Sequence, residues 1–210
     1  MTIFHKTKEK GQEPYKRSSE ILLEIARNEK LEGNLSYQYI LQALGDRAFG
    51  IALLFFSLPS VLPFSAMPGV SVIFSLPIAI FALQMIFARK TIWLPEYLGI
   101  RTISHAKVAK IIYRVVPYLV KLERLSKPRW PLMNCRTMEV INGITIFCLA
   151  LLLMLPLPFS NLFLGTFIII FSVGIVEKDG VLILVAYICF ALYTSVVYFL
   201  ILTTAKAIFF

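Results

Sequence analysis

Charge is scarce in this chain, and three long stretches contain none of either sign. Only 16% of the 210 residues are Asp, Glu, Lys or Arg, against 58% hydrophobic residues. The charge-free stretches cover residues 48–88, 140–176 and 181–205. A single soluble core cannot hide that much apolar surface, whereas a membrane helix needs about 20 mostly apolar residues. The sequence therefore predicts an all-α, polytopic integral membrane protein.

Residues that carry enzyme chemistry are few. His5 lies in a polar N-terminal stretch and His105 has no cysteine or acidic partner at ligand spacing. The chain has no Cys-x-x-Cys pair and no phosphate-binding, dinucleotide-binding or His-Glu-x-x-His motif. The acids nearest the apolar stretches all lie at segment ends, namely Asp46, Glu123, Glu139, Glu177 and Asp179. We therefore expect no catalytic residue, no metal and no cofactor, and a protein that is not an enzyme.

Basic residues outnumber acidic ones most strongly in the connector between the first two apolar stretches. The net charge is +9, and residues 89–139 carry 11 Lys and Arg against 3 Asp and Glu. Such a connector beside membrane helices indicates a cytoplasmic location and contact with anionic lipid head groups rather than with nucleic acid. No apolar run follows the lysine-rich N-terminus, so no cleavable signal peptide is expected.

These patterns divide the chain into three parts. Residues 1–17 predict a flexible tail, and residues 18–47 predict two short amphipathic helices on the cytoplasmic face. Ser18 or Ser19 caps the first of these helices, and the second runs from Ser36 to Leu44 before Gly45. The membrane domain comprises a first broken pair (48–88), the basic connector (89–139), a second broken pair (140–176) and a C-terminal transmembrane helix (181–204).

A Leu-Pro-Phe-Ser sequence interrupts both long apolar stretches, at 62–65 and at 157–160. Proline removes a backbone donor and clashes with the preceding turn, so a helix stops there. Two similar breaks indicate an internal repeat, and broken apolar helices at matching positions are typical of transporter sites. Two ordinary hairpin loops at the membrane face are the alternative. Because each arm is short for a full crossing, spanning hairpins and re-entrant loops both remain open.

If the halves are repeats, the two breaks should face each other across a pseudo-two-fold axis and form a polar site. Gln84 and Asn161 are expected nearest to it, and Asn161→Ala should impair activity without unfolding the protein. The candidate substrate-binding residues are Arg47, Pro63, Ser65, Gln84, Pro158, Ser160 and Asn161. The alternative for the polar side chains is that they join helices, and for Arg47 that it extends to the membrane interface.

The connector contains an amphipathic helix over residues 104–125. Its apolar residues lie on one face, and Lys107, Lys110, Arg114, Lys121 and Arg124 lie on the other. This pattern predicts an interfacial helix whose basic residues contact lipid head groups. Packing of the apolar face on the protein itself is the alternative.

Between Gly45 and Gly180 the chain resembles the ExoD family of bacterial exopolysaccharide-synthesis membrane proteins. The residues that carry the resemblance are Gly45, Arg47, Gly50, Pro59, Pro63, Pro68-Gly69, Leu76-Pro77, Gln84, Trp93-Leu94-Pro95, Leu122-Glu123-Arg124, Pro128-Arg129, Leu155-Pro156-Leu157-Pro158-Phe159, Asn161 and Asp179-Gly180. Ser160 stands where glycine is usual in the family, and Leu164 where proline is usual. The resemblance implies a multi-pass protein of the bacterial inner membrane connected with exopolysaccharide production, and it implies no established reaction.

Two functions from different classes follow. The first is a transporter or flippase for a lipid-linked or anionic lipid substrate. The second is an assembly or scaffold factor that holds the polysaccharide machinery at the membrane without transporting. The expected partners are membrane lipids and such a substrate, without nucleic acid, and a homo-oligomer is left open.

Overall fold

The computed structural model describes residues 17–27, 34–62, 70–93, 102–125, 135–155 and 160–209. Eight α-helices and two three-residue strands form these parts of the chain. In order they are α1 Ser18–Arg27, β1 Asn34–Ser36, α2 Tyr37–Leu44, α3 Arg47–Ser57, α4 Val70–Ile86, β2 Thr102–Ser104, α5 His105–Leu125, α6 Arg136–Met154, α7 Ser160–Glu177 and α8 Gly180–Phe209. A 3-10 turn at Pro59–Val61 follows α3. The predicted all-α class is confirmed, whereas the predicted tail lies almost entirely outside the described residues.

Among the described residues, three helices are long and apolar enough to cross a membrane. They are α6, α7 and the Gly180–Thr204 part of α8. The α2 helix and the α3 segment through Val61 would together be long and apolar enough to cross a membrane, but they meet at 109°. The bend lies at Gly45, whose positive φ of 57° ends α2 as predicted. Each apolar stretch of the sequence therefore contains at least one helix, as the expected polytopic architecture requires.

The helices α3, α4, α6 and α7 form a four-helix bundle in which each hairpin packs against the other. Helix α3 lies antiparallel to α7, because Gly50 adjoins Val176 near the end of α7 while Val61 adjoins Gly165 near its beginning. Helix α4 lies antiparallel to α6. The bundle thus has a charged end, carrying Asp46, Arg89, Arg136 and residues 177–179, and a break end, carrying Leu62, Leu155 and Ser160.

Two glycines make equivalent contacts in the two halves, as a pseudo-two-fold axis along the bundle would require. A Cβ atom on Gly50 would lie 2.8 Å from the Ser172 carbonyl oxygen and 3.0 Å from the Val176 nitrogen. A Cβ atom on Gly143 would lie 3.1 Å from the Ala82 carbonyl oxygen and 3.0 Å from the Ile86 nitrogen. Each glycine therefore allows the same close approach of its helix to the other half. This geometry supports the internal repeat expected from the breaks.

The second helix of each half also ends in the same way. The Arg89 N–H donates to the Gln84 carbonyl, and the Asp179 N–H donates to the Gly174 carbonyl. The residue before each of these donors has a positive φ, at Ala88 and Lys178. Both helices therefore close with a Schellman-type turn that uses a residue other than glycine.

The C-terminal helix α8 packs against α7 along its first half only. Tyr187 contacts Phe171 with ring centroids 4.9 Å apart, and Tyr193 contacts Phe167 at 5.8 Å. Farther along, Tyr198, Phe199 and Leu200 are 64%, 66% and 57% exposed. The second half of α8 therefore extends beyond the bundle.

The remaining elements form a small layer beside the charged end. Strand β1 pairs antiparallel with β2, with Asn34 opposite Ser104, and α5 packs against α1. The strands went unpredicted because three residues carry no periodic pattern. Ser18 and Ser19 lie inside α1 and bond to other helices, so the expected serine cap of α1 is wrong. The layer ties the N-terminal segment to the basic connector.

Helix α5 has three faces rather than two. Val108, Ile112 and Leu119 are buried against the layer, whereas Ile111 and Tyr118 are 57% and 67% exposed. The basic residues on the third face are exposed, namely Lys107, Lys110, Arg114, Lys121 and Arg124. Packing on the protein therefore holds for one apolar stripe, and a second, exposed apolar stripe lies beside the basic face.

Candidate functional site

A small cavity of about 30 Å³ lies at the charged end, where the two halves meet. Its charged lining consists of two acids, Asp46 and Glu139, and two bases, Arg89 and Lys178. Asn142 adds an amide. The apolar lining residues are Phe49, Met85, Ile175 and Ile183. A volume of that size exceeds the roughly 10–15 Å³ that one water molecule requires, and the walls supply its polar partners.

The cavity lies on the pseudo-two-fold axis. Asp46 is four residues before Gly50, and Glu139 is four residues before Gly143, so the two acids are equivalents in the repeat. Phe49 and Asn142, one residue before each glycine, are equivalents as well. We call this cavity the axis cavity. At this equivalent position the first half has phenylalanine and the second half asparagine, so only the second half contributes an amide there.

Asn142 is only 2% exposed and is held by the C-terminal helix. The Tyr187 hydroxyl donates a hydrogen bond of 2.7 Å to Asn142 Oδ1. The Tyr187 bond uses one lone pair of the oxygen, so Asn142 can offer its amide donors and the second lone pair of its oxygen to the axis cavity. Helix α8 thus takes part in forming the site although it lies outside the four-helix bundle.

Tyr187→Phe should lower the free energy of unfolding by about 1 kcal/mol, the usual net value of one such hydrogen bond. Thermal unfolding of the purified protein measures it. Tyr193→Phe is the matched control, since Tyr193 makes ring contacts with Phe163 and Phe167 on the same helix pair. Equal losses for the two variants would show that the Asn142 bond contributes nothing specific.

The mixed charges define what the axis cavity can bind. Two carboxylates and two basic groups line it, so neither a bare anion nor a bare cation meets charge of a single sign. Arg89 also lies over the Trp93 ring at 5.6 Å, and Arg136 donates to the Ala88 carbonyl beside it. A polar group that both donates and accepts hydrogen bonds, such as water or the edge of a lipid head group, suits this lining. Within the described ranges, no three His, Cys, Asp or Glu residues are grouped as metal ligands.

A second buried polar network joins α1 to the bundle. The Arg47 guanidinium donates to the Ser18 hydroxyl at 3.2 Å, and that hydroxyl donates to the Val176 carbonyl at 3.2 Å. Ser19 donates from its backbone and its hydroxyl to the Glu123 carboxylate, at 2.8 and 2.7 Å. All of these side chains are at most 5% exposed. The first turn of α1 is therefore anchored at once to α3, α5 and α7.

The predicted site residues are divided between the two ends of the bundle. The Gln84 side-chain nitrogen donates to the Trp93 carbonyl at 3.3 Å, and its oxygen accepts from the Trp93 N–H at 2.7 Å. Gln84 lies at the charged end. Its expected place beside Asn161 is wrong, because α4 runs away from the break. Arg47 is 5% exposed and bonds inside the protein, so the interface position considered for it is wrong as well.

Ser160 and Asn161 are buried at the break end, in the first turn of α7. The Ser60 Cβ lies 3.5 Å from the Cβ position of Gly165, one turn farther along the same face as Asn161. The regions flanking the two breaks therefore do meet. Pro63, Ser65 and Pro158 lie outside the described residues, so their role stays a prediction.

The break end is polar without being charged. Ser57, Ser60 and Ser75 are fully buried, and each hydroxyl donates to a carbonyl of its own chain segment. Each hydroxyl oxygen keeps acceptor capacity. The break end thus differs in chemistry from the axis cavity, where all the lining charges lie.

The sequence carries a signal for the axis cavity that no single motif contains. An acid followed four residues later by glycine begins both halves, at Asp46 and Gly50 and at Glu139 and Gly143. Each of these acids by itself stands at a segment end and predicts a solvated residue. Only the repetition of the spacing singles them out.

The family described as "Exopolysaccharide synthesis, ExoD" matches residues 18–199. The uncharacterized protein slr1875 of Synechocystis sp. is 35% identical over 144 residues, which cover 68% of each chain. Protein ExoD of Rhizobium meliloti is 30% identical over 177 residues, which cover 82% of this chain and 72% of that protein. No solved structure matches the chain.

Proposed function

The chain belongs to the ExoD family, and on that basis we propose that it is a multi-pass protein of the bacterial inner membrane that moves a lipid-linked or anionic lipid substrate for exopolysaccharide synthesis. One observation carries the proposal. A polar cavity lies on the axis between two similar hairpins, in a bundle whose other core residues are mostly apolar. Sites at the interface of structural repeats are typical of transporters.

The repeat supplies the mechanical requirement for transport. The two halves touch through glycine contacts, at Gly50 and Gly143, where one backbone lies directly on another. Small residues at such contacts let two helix backbones approach closely, and transport would require the two hairpins to tilt against each other about these contacts. A tilt about these contacts would open the axis cavity toward one side of the bundle.

The basic face of α5 would gather the substrate. Its five exposed Lys and Arg side chains lie beside the exposed apolar residues Ile111 and Tyr118. A basic stripe next to an apolar stripe suits the surface of an anionic leaflet, where each basic residue contributes about 1 kcal/mol. The phosphate of a lipid held there would be close to the charged end of the bundle.

The anchored layer also favours the second function, an assembly factor that does not transport. Buried bonds from Ser18 and Ser19 hold α1 and α5 rigidly on the bundle, as a docking platform for another protein would require. The assembly function requires no movement of lipid through the protein, whereas the transport function does. A transport assay therefore distinguishes the two functions.

Vesicles containing only this protein should move labelled anionic lipid or polyprenyl phosphate between leaflets at least about tenfold faster than empty vesicles. Glu139→Gln should remove most of the acceleration, since it takes one charge from the axis cavity, and Asn161→Ala tests the break end separately. Ser195→Ala is the control, because its exposed hydroxyl bonds only within α8. No acceleration of any of these substrates would reject transport and favour the assembly function.

A further inference from the structure

The contacts of α8 define its register against α7. Ile183 adjoins Gly174, Tyr187 contacts Phe171, and Tyr193 contacts both Phe163 and Phe167. Each step forward along α8 therefore matches an equal step backward along α7. Continued in this register, Ser160, the first residue of α7, is level with Tyr198.

Helix α8 continues well past that level. At 1.5 Å per residue, the segment from Phe199 to Phe209 extends about 16 Å beyond the start of α7. Its first charged residue is Lys206, about 12 Å beyond Ser160. Between them stand Phe199, Leu200 and Leu202, each at least 40% exposed. This apolar extension of α8 is uncovered by the part of the chain that the structure describes.

We infer that the described helices of both hairpins end inside the hydrocarbon layer and that α8 alone crosses it, so that two re-entrant hairpins replace the multi-pass arrangement proposed above. The inference rests on the proposed membrane location. Apolar side chains of the α8 extension belong in hydrocarbon, and Lys206 belongs at its far boundary, because exposing phenylalanine and leucine to water or burying lysine in lipid is unfavourable. The start of α7 then lies about 12 Å below that boundary, counted along the helix.

The other end of the bundle fits the same placement. Counting a hydrocarbon thickness of about 30 Å back from Lys206 along α8 reaches Ala186. The first turns of α8, from Gly180, and the charged residues 177–179 then lie in the near head-group layer, where charge is tolerated. Arg89 and Arg136 lie at that same end. Neither end of α8 requires an uncompensated charge in lipid.

The break end is built for such a depth. The described residues next to the breaks that are most exposed are apolar, Leu62 at 47% and Leu155 at 49%. The polar residues Ser60, Ser160 and Asn161 are turned into the protein. At an end that faced outer water, we would expect the polar residues on the surface and the apolar ones inside. The surface of the break end is therefore one that contacts lipid acyl chains of the far leaflet.

The placement bears on the proposed transport. Lipid above the hairpins has to fill only the space between the break end and the far surface, so the bilayer is locally compressed there. A head group leaving the axis cavity then meets a shorter apolar barrier beside the bundle than in plain bilayer. The two hairpins would shorten the path, and α8 would fix their depth.

Cysteine labelling in sealed vesicles of both orientations tests the placement. The background variant replaces the three native cysteines, Cys135→Ser, Cys148→Ala and Cys189→Ala. Single cysteines are then introduced as Lys90→Cys at the charged end, Lys206→Cys near the end of α8, and Leu62→Cys or Leu155→Cys at the break end. All four positions are exposed on the protein surface, so protein burial does not protect any of them.

A water-soluble maleimide should label Lys90→Cys and Lys206→Cys from opposite sides of the membrane. Leu62→Cys and Leu155→Cys should react at least tenfold more slowly from either side. A small fluorophore attached to them through a membrane-permeable reagent should be quenched by lipids brominated on the acyl chain. Labelling of Leu155→Cys from the far side as fast as Lys206→Cys would overturn the inference, as would labelling of Lys90→Cys and Lys206→Cys from one side. These readouts require no transport, so a failed transport assay leaves them intact.

Discussion

Gly50→Ala is expected to destabilise the protein by about 2 kcal/mol, although alanine is the better helix former. The added Cβ would lie 2.6 Å from Val176 Cγ2, 2.8 Å from the Ser172 carbonyl oxygen and 3.0 Å from the Val176 nitrogen. Two of these atoms belong to backbone and cannot rotate away. Overpacking of this kind costs about 3 kcal/mol, and the gain in helix propensity returns about 1 kcal/mol.

Thermal unfolding of the purified protein measures this loss. For a chain of this size, 2 kcal/mol corresponds to a drop in Tm of roughly 4–8 °C. Gly143→Ala should cause a smaller drop, since its three contacts are 3.0–3.1 Å. Gly165→Ala is the matched control, because the only atom within 3 Å of its Cβ is the end of the Val61 side chain, at 2.9 Å. A Tm of Gly50→Ala at or above that of Gly165→Ala would contradict the close helix approach.

A double variant distinguishes side-chain from backbone contact. In Gly50→Ala combined with Val176→Ala, the 2.6 Å contact with Val176 Cγ2 disappears, while the contacts with the Ser172 oxygen and the Val176 nitrogen remain. When Val176 is already alanine, Gly50→Ala should therefore still lower the stability, but by less than it does in the native protein. Full recovery would mean that the α3 and α7 backbones can move apart.

Glu123→Leu is expected to release α1 from the bundle. The Glu123 carboxylate is 4% exposed and accepts both the Ser19 N–H and the Ser19 hydroxyl. Leaving two buried donors without an acceptor costs about 3 kcal/mol in total, at 1–3 kcal/mol for each group. Glu177 interacts electrostatically with Glu123, so the substitution also removes a repulsion between two acids, which offsets part of that cost.

Hydrogen exchange of the α1 amides reports the release directly. A loss of about 3 kcal/mol corresponds to roughly a hundredfold faster exchange through local opening. Glu123→Gln keeps one acceptor oxygen and should have a smaller effect, and Glu20→Ala is the control because its carboxylate accepts a bond at an exposed position. If Glu123→Gln instead slows the exchange, repulsion from Glu177 outweighs the Ser19 bonds.

Much of the fold follows from local features of the sequence. The helix α2 was predicted to within one residue, from Ser36 to its end at Gly45, because capping and the glycine turn depend on neighbouring residues only. The left-handed residue in each turn that closes α4 and α7 was not predicted, since Ala88 and Lys178 stand where glycine is usual. Local propensity favours glycine there, and the following hydrogen bonds to Gln84 and Gly174 override it.

The candidate site was only partly predictable. Polar residues among apolar ones, such as Asn161 and Gln84, are visible in the sequence, and their burial was expected. Their separation was not, because a residue's height in a bundle depends on the direction of its helix. Gln84 near the end of α4 and Asn161 at the start of α7 lie at opposite ends of helices that both run toward the charged end.

The sequence by itself determined the class of the protein, the position of each apolar helix and the sign of the charge between them. Helix formation and the transfer of side chains from water depend on short-range patterns, which a single chain displays fully. The tertiary structure decided which helices pair and where Asp46 and Glu139 meet. That choice depends on contacts between residues about a hundred positions apart, such as Gly50 with Val176, and close packing discriminates among pairings that hydrophobicity alone would accept equally.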